Sequence, residues 1–501
     1  MPVIKRRMVM QFWLALALGL ALRLVFVLHA PRIAGDTLIY GDIAKNWMQY
    51  HVYGFAESAA GPIPTLIRLP GYPLFLALCF RIFGDDQYTA VMLVQCLIDL
   101  GTCVLMADLA RCVFGQRAAL VVLWLGALCP FTANYVASPL TETLSLACIA
   151  VAFYGLERWR LQRTGWNRWL WMIAAALAYA VLLRPEQGLL AVAIVPAMVW
   201  IAVRREGGFH GTAPVATLAL CVVLPLVPWT ARNWRTFHVF QPLVPRDATD
   251  PGELVPRGFN RWYRTWAIDF ASTEDVYWNW NTALIDINDI PTRAFDTEDQ
   301  YNRVAALLNE HNETFNATAK LDSAFGVLAK ERIADDPIRY YVALPVARLL
   351  NMVLRPRTEM MEIALEWWKW SRHPAKTAFS SAYALLNLAY FALGGTGLWR
   401  WRHRQWDGYA VLGWSTVAFL LLRCALLLTL DNSEPRYTLE FFPLLTLWAG
   451  ALFFCPSAKG AGSHQPRSGS DRRVAECVQH DASRGVELFR KDSMGPAGKT
   501  P

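Results

Sequence analysis

Ten apolar segments, most of them long enough to cross a bilayer, constrain this chain more than any other feature. They cover 8–28, 88–110, 118–136, 140–156, 168–183, 188–203, 213–230, 378–399, 408–430 and 437–455. A spanning helix needs roughly 20 apolar residues, since a rise of about 1.5 Å per residue must cover about 30 Å of hydrocarbon. Within that layer each backbone polar group has to be satisfied inside the segment or in a closed barrel, and segments of this length favour helices. The chain is 55% hydrophobic and 18% charged, with a mean hydropathy of +0.25, whereas soluble domains run at about 45–50% apolar and 25% charged. An all-α polytopic membrane protein with about ten transmembrane helices is expected. The stretch 70–84, PGYPLFLALCFRIFG, is apolar but short and interrupted by Arg81. It suits a helix lying in the interface or re-entering from one side.

A net charge of +8 superficially suggests nucleic acid, but the basic residues fall in alternate short connections. These hold Lys5, Arg6 and Arg7; Arg111 and Arg117; Arg158, Arg160, Arg163 and Arg168; Arg204 and Arg205; and Arg400, Arg402 and Arg404. Such a bias orients a chain in a membrane with the basic loops on the cytoplasmic side, and no nucleic-acid partner is expected. The first apolar run exceeds a typical signal-peptide core and lacks a clear cleavage pattern, so it reads as a retained helix. Nine of the ten cysteines lie in or beside apolar segments and none forms a CxxC pair. They read as small buried hydrophobes rather than a disulfide or zinc framework.

This orientation divides the chain into an N-terminal transmembrane module (1–230) with a first outer loop at 29–87, an extracytoplasmic helical region (231–375), C-terminal transmembrane helices (376–455) and a disordered cytoplasmic tail (456–501). In the outer region Leu321, Ala324, Phe325 and Leu328 recur at helical spacing, and Asp335, Asp336 and Pro337 break the helix before an amphipathic run at 338–354. Trp262, Trp266, Trp278 and Trp280 suit either stacking on sugar rings or the membrane interface, the second being the commoner use of tryptophan in such chains.

With both termini inside, the polar motifs share the outer face: the loop around Asp36, SPLTE at 138–142, RPEQ at 184–187, the region 231–375 and DNSEPRY at 431–437. Their ionisable groups are Asp36, Asp42, Arg68, Glu142, Arg184, Glu186, Arg232, Glu434 and Arg436. Glycosyl transfer from a lipid phosphate needs a carboxylate to take the acceptor proton and cations to hold the departing phosphate. Arginine suits the second task because its planar fork matches phosphate oxygens. Singly, each residue has a plainer use: Arg184 and Arg436 as headgroup anchors, Glu142 as a helix cap, Asp36 as a solvated loop acid.

The motifs GDTLIYGDIAKN, RLPGYPLFLAL, LTETLSLA, LLRPEQGLL, PWTARNW and EPRY, in that order, resemble the GT-C glycosyltransferases. The likeness is to the bacterial branch akin to protein O-mannosyltransferases and lipid A aminoarabinose transferase, and it covers about 8–455. It implies that Asp36 is the catalytic base, with Asp42 a second candidate and Glu142 positioning base or acceptor. Arg68, Arg232, Arg436 and Arg184 become candidates for the donor phosphate, Arg68 standing where the family has a basic residue in a KPP-like motif. It further implies a polyprenyl-phosphate sugar donor, in bacteria undecaprenyl phosphate, a glycan, lipid or protein acceptor, and an active site outside the inner (plasma) membrane. The resemblance admits a divalent metal, but the local sequence lacks a compact cluster of histidines and carboxylates, so no obligatory cofactor is expected. A lipid-linked sugar flippase or transporter, or a noncatalytic subunit of envelope assembly, would share the hydropathy pattern.

Overall fold

The computed structural model describes residues 2–454 apart from 57–60, 207, 281, 316, 362, 364–366, 369, 371–372 and 403–408. The expected tail at 456–501 and Arg404 lie outside the described residues. The first half of the chain runs through α1 (Pro2–His29), α2 (Asp36–Tyr50), a short antiparallel hairpin β1 (Gly54–Ala56) and β2 (Pro62–Pro64), α3 (Gly71–Phe83), α4 (Tyr88–Phe114), α5 (Gln116–Ala127), α6 (Pro130–Tyr135), α7 (Glu142–Arg160), α8 (Arg168–Leu183), α9 (Gly188–Glu206), α10 (Ala213–Val223) and α11 (Leu226–Phe237). Each of the ten apolar segments is helical. Two of them are broken where proline lacks the N–H and crowds the preceding turn: α5 gives way to α6 at Pro130, and α10 to α11 at Pro225. The fold is an all-α membrane architecture in which the hairpin is the one sheet among the described residues.

Five stretches have both the length and the hydropathy to span unaided: Arg6–His29, Tyr88–Phe114, Pro185–Glu206, Phe209–Phe237 and Ala410–Leu427. Others are apolar but shorter, α5 with 12 residues and α8 with 16. The interfacial segment forms α3, whose 13 residues reach only about 20 Å at helical rise. Its start packs tightly on α8. A β-carbon at Gly71 would fall 2.5 Å from the Leu182 carbonyl oxygen, and Tyr179 donates to the Gly71 carbonyl at 3.1 Å.

Lipid is as apolar as leucine, so association of spans rests on close packing and polar contacts rather than on escape from water. The main core, with Trp159, Phe153, Leu177, Met198 and Phe419 buried at its centre, is joined by buried ion pairs. Arg23 on α1 donates through Nε to Asp99 on α4 at 2.8 Å, and its Nη1 serves the Gly19 and Ala127 carbonyls at 2.8 and 2.7 Å. Both charges lie within apolar runs, at 8–28 and 88–110. Intramembrane charges are tolerated when they find each other in the bundle interior, which is what the Arg23–Asp99 pair does.

The region expected to lie outside, 231–375, contains α12 (Arg257–Tyr263), α13 (Phe270–Ser272), α14 (Glu298–Thr314) and α15 (Ala319–Asp335). A wide π-helical turn at Arg339–Ala343 then leads into α16 (Leu344–Leu354). The expected spacing holds: Leu321, Phe325 and Leu328 are buried, and the helix ends at Asp335. Both expectations for the tryptophans need correction at three of four positions. Trp262, Trp266 and Trp280 fill a second hydrophobic core, where Trp280 lies between Phe259 at 3.8 Å and His311 at 4.6 Å, both stacked. Ring area is buried in the region's own interior, because α12 and α15 present their apolar faces to each other. Trp278 stays half-exposed.

The chain closes with α17 (Pro374–Arg402), α18 (Ala410–Leu427), a 3-10 turn Pro435–Phe441 and α19 (Phe442–Gly450). The basic connections gather at one end of the bundle. Arg205 donates to the Trp159 carbonyl at 3.2 Å, the Arg160 guanidinium lies 5.0 Å from the Tyr409 ring, and Tyr409 donates to the Cys112 carbonyl at 3.1 Å. Asp36, Glu142, Arg184 and Arg436 meet elsewhere, as described below.

Two outcomes are expected. Ser323→Cys in the outer region should be labelled by an impermeant maleimide in spheroplasts, and Thr164→Cys only after permeabilisation; the reverse pattern would invert the orientation. Asp99→Ala should destabilise the detergent-solubilised protein by about 3–5 kcal/mol, because it leaves Arg23 buried and unpaired. Replacing both partners by apolar residues should recover most of that loss in the same unfolding measurement.

Candidate active site

Gly35 takes φ 53°, ψ −121°, a conformation open to glycine and costly for residues with a β-carbon. The chain therefore turns sharply out of the first loop and places Asp36 as the first residue of α2, where the positive end of the helix dipole favours a carboxylate. Arg68 sits just ahead of α3 and is fixed from two sides. Tyr53 donates to the Arg68 carbonyl at 3.0 Å. Asp250, from the outer region, accepts from Thr65 Oγ1 at 2.6 Å and from the Leu66 amide at 2.8 Å. Arg436 comes from the turn before α19, 400 residues from Asp36 in sequence.

The three side chains meet. Arg68 Nη2 donates to Asp36 Oδ1 at 2.7 Å and Arg436 Nη1 to Oδ2 at 3.1 Å, so each carboxylate oxygen has its own guanidinium. The group is about three-quarters buried. Burial alone would raise the Asp36 pKa, but Arg436 and Arg68 outweigh it and hold the carboxyl down to about 2. Arg436 is itself kept firmly charged, since Glu434, Tyr437 and Asp36 overcome its desolvation. Glu434 pairs with the Arg436 Nε and is steadied by Tyr437 and Asn432, each donating to Glu434 Oε1 at 2.8 Å. Arg68 Nε is buried without a hydrogen-bond acceptor.

Asp36, Arg68 and Arg436 line a cavity of about 840 Å³ between the membrane helices and the outer region. This is the size range of sites that take drug-sized and larger ligands. Its wall also includes Arg32, Tyr135, Glu274, Trp278, Glu359 and Asp431. Tyr135 donates to Glu359 Oε1 at 2.8 Å, and Arg32 donates to the Glu359 carbonyl. Burial holds the Glu274 carboxyl above its ordinary range, against the pull of Arg32. Two carboxylates of one cavity are thus pushed in opposite directions, Asp36 down and Glu274 up.

The other expected site residues lie around this group with different partners. Arg184 donates to Glu142 at 3.2 Å and pairs with Glu186 at 2.6 Å. Its guanidinium lies 5.3 Å from the Tyr437 ring, and the Arg436 guanidinium lies 5.6 Å from the same ring. Glu142 and Arg184 therefore stand one layer behind the cavity wall. Asp42 accepts from the Ala56 amide at 2.7 Å and ties the hairpin to α2. Arg232 donates to the Thr65 and Tyr53 carbonyls, both at 2.7 Å, with the Tyr53, Trp229 and Phe237 rings about its guanidinium. Neither Asp42 nor Arg232 lines the cavity. Sequence reasoning missed Arg32, Tyr135, Glu274 and Glu359; RPRTEMME at 355–362, polar beside an amphipathic helix, was the available signal for the last. Among the described residues no group of three or more His, Cys, Asp or Glu side chains is arranged to hold a metal ion.

Residues 64–229 match the family described as Dolichyl-phosphate-mannose-protein mannosyltransferase. That match spans Arg68, Glu142 and Arg184, and the likeness to the GT-C glycosyltransferases stands on it. No curated protein matches the chain. Among solved structures, ArnT from Cupriavidus metallidurans in the apo state aligns over 84% of this chain and 77% of its own, at 15% identity and a TM-score of 0.35.

Proposed function

We propose that this protein is an integral membrane glycosyltransferase that moves a sugar from a polyprenyl-phosphate donor to a glycan, lipid or protein acceptor at the extracytoplasmic face. The observation that carries this reading is the meeting of one carboxylate and two arginines at the wall of the 840 Å³ cavity. The family match supports a lipid-phosphate donor, because the family's description names one.

In the reaction an acceptor hydroxyl oxygen attacks the anomeric carbon while the bond from that carbon to the phosphate oxygen breaks. The bonding pair leaves with the phosphate, and the hydroxyl proton passes to Asp36. Arg68 and Arg436 stabilise the charge that develops on the leaving phosphate, the kind of preorganised electrostatic help that often contributes most to catalysis. Arg184 and Glu142 hold Tyr437 and Arg436 in register from behind, and Arg232 fixes the backbone of the Arg68 loop. A second reading assigns the base to Glu274, favoured by the upward shift of its carboxyl in the same cavity.

Substitution separates these roles. Asp36→Asn should cut single-turnover transfer from labelled polyprenyl-phosphate sugar by 10² to 10⁴, the range for a general base. Asp42→Asn should cost far less, its carboxylate serving only a backbone amide. Transfer at the wild-type rate in Asp36→Asn, with loss in Glu274→Gln, would move the base to Glu274. Arg68→Ala should lose about 2–4 kcal/mol of transition-state stabilisation. Arg68→Lys should recover only part, since it keeps the charge without the fork; wild-type kcat/KM for the donor in Arg68→Ala would remove Arg68 from the site.

A further inference from the structure

Each oxygen of the Asp36 carboxylate already accepts from an arginine, so half of its acceptor sites are taken and the two cations weaken what remains as a base toward an acceptor hydroxyl. The same arginines are the ones a phosphate needs. We infer, resting on the donor reading above, that Asp36 is latched by Arg68 and Arg436 in the donor-free protein and that the donor phosphate frees it by taking its place on both guanidiniums.

Three observations beyond the pairing itself support the exchange. Arg68 spends Nη1 on the Ile67 carbonyl at 3.1 Å, places Nη2 on Asp36 and leaves its buried Nε without an acceptor. The Nε and Nη2 edge is one that an oxyanion with two oxygens can fill side by side; Asp36 fills half of it. Next, Arg436 keeps Glu434 on its Nε and offers Asp36 only Nη1, so its bond to Asp36 can be given up without losing the contact that positions it. Last, the charges balance. The donor is a phosphodiester with one negative charge and two non-bridging oxygens, and it replaces one carboxylate of equal charge on the same two cations. Freed from both arginines, the Asp36 carboxyl loses the neighbours that hold it near 2 and becomes a stronger proton acceptor when the sugar is in place. After transfer the proton resides on Asp36, whose neutral carboxyl competes poorly for the arginines, and the phosphate monoester keeps them until that proton leaves.

The latch sets the carboxylate and the phosphate in competition for the same two guanidiniums. Removing the competing carboxylate should improve phosphate binding in a protein that has lost turnover. Undecaprenyl phosphate binding to the purified full chain in detergent, followed by tryptophan fluorescence, should be roughly ten-fold tighter in Asp36→Asn than in wild type. Binding of undecaprenol, which lacks the phosphate, should not change. Asp36→Ala provides the same comparison should the Asn variant fail to accumulate. Equal or weaker binding of undecaprenyl phosphate in the Asp36 variants, with binding still lost in Arg68→Gln, would overturn the latch and leave the donor reading standing. Unchanged undecaprenyl phosphate binding in both Arg68→Gln and Arg436→Gln would overturn the donor reading and the latch with it.

Discussion

Two arginines closing on one carboxylate is the interaction on which the rest of the site depends, and each member comes from a different part of the chain. Asp36 begins the helix after the first span, Arg68 precedes the short helix that follows it, and Arg436 precedes the last helix. Three like-placed loops would not meet unless the membrane helices packed in one arrangement. Arg436 could not approach Asp36 with α19 displaced along the bundle. Its position is fixed in turn by Arg423 on α18, which donates at 2.9 Å to Glu440 in the same 3-10 turn as Arg436. Correct assembly of the bundle is therefore a condition for the site to exist.

A bilayer changes which interactions do that assembling. Apolar burial separates nothing from water once the helices are inserted, so close backbone approach and polar contacts carry specificity. The structure uses both: glycine at the α3–α8 crossing, and a buried ion pair joining α1 to α4. A β-carbon at Gly397 on α17 would fall 2.0 Å from the Trp448 carbonyl oxygen on α19. The region carrying α12 to α15 encloses aromatic rings in a core of its own.

Hydropathy made the helices legible because length and apolarity are local properties. The ten segments were found with their approximate bounds, and α3 was read as too short to cross. The breaks at Pro130 and Pro225 fall inside segments that hydropathy treats as continuous. The clustering of Asp36 with Arg68 and Arg436 was legible only as a shared side of the membrane, an argument from charge bias that says nothing of distance. What the sequence hid was partnership. Arg23 and Asp99 stood as charges in apolar runs with no sign of which would meet. Trp262, Trp266 and Trp280 looked identical to surface or interface tryptophans, because a core made by α12 and α15 has no signature until the two helices are brought together. Arg232 and Asp42, ranked with the site by motif, turned out to engage carbonyls and an amide of the framework, and Glu274 and Glu359 entered the cavity from a region whose path no periodicity predicts.

The outer region also grips the loops that carry the arginines. Asp250 holds Thr65 and Leu66, just before Arg68, while the Ser433 hydroxyl donates to the Ile268 carbonyl at 2.7 Å and the Ser433 amide to Thr273 Oγ1 at 3.3 Å, just before Arg436. Contacts from 250–273 thus reach both guanidinium-bearing loops, like a yoke. The spacing of the two cations therefore answers to this region as well as to the packing of the spans, so a change confined to 250–273 reaches the carboxylate between them.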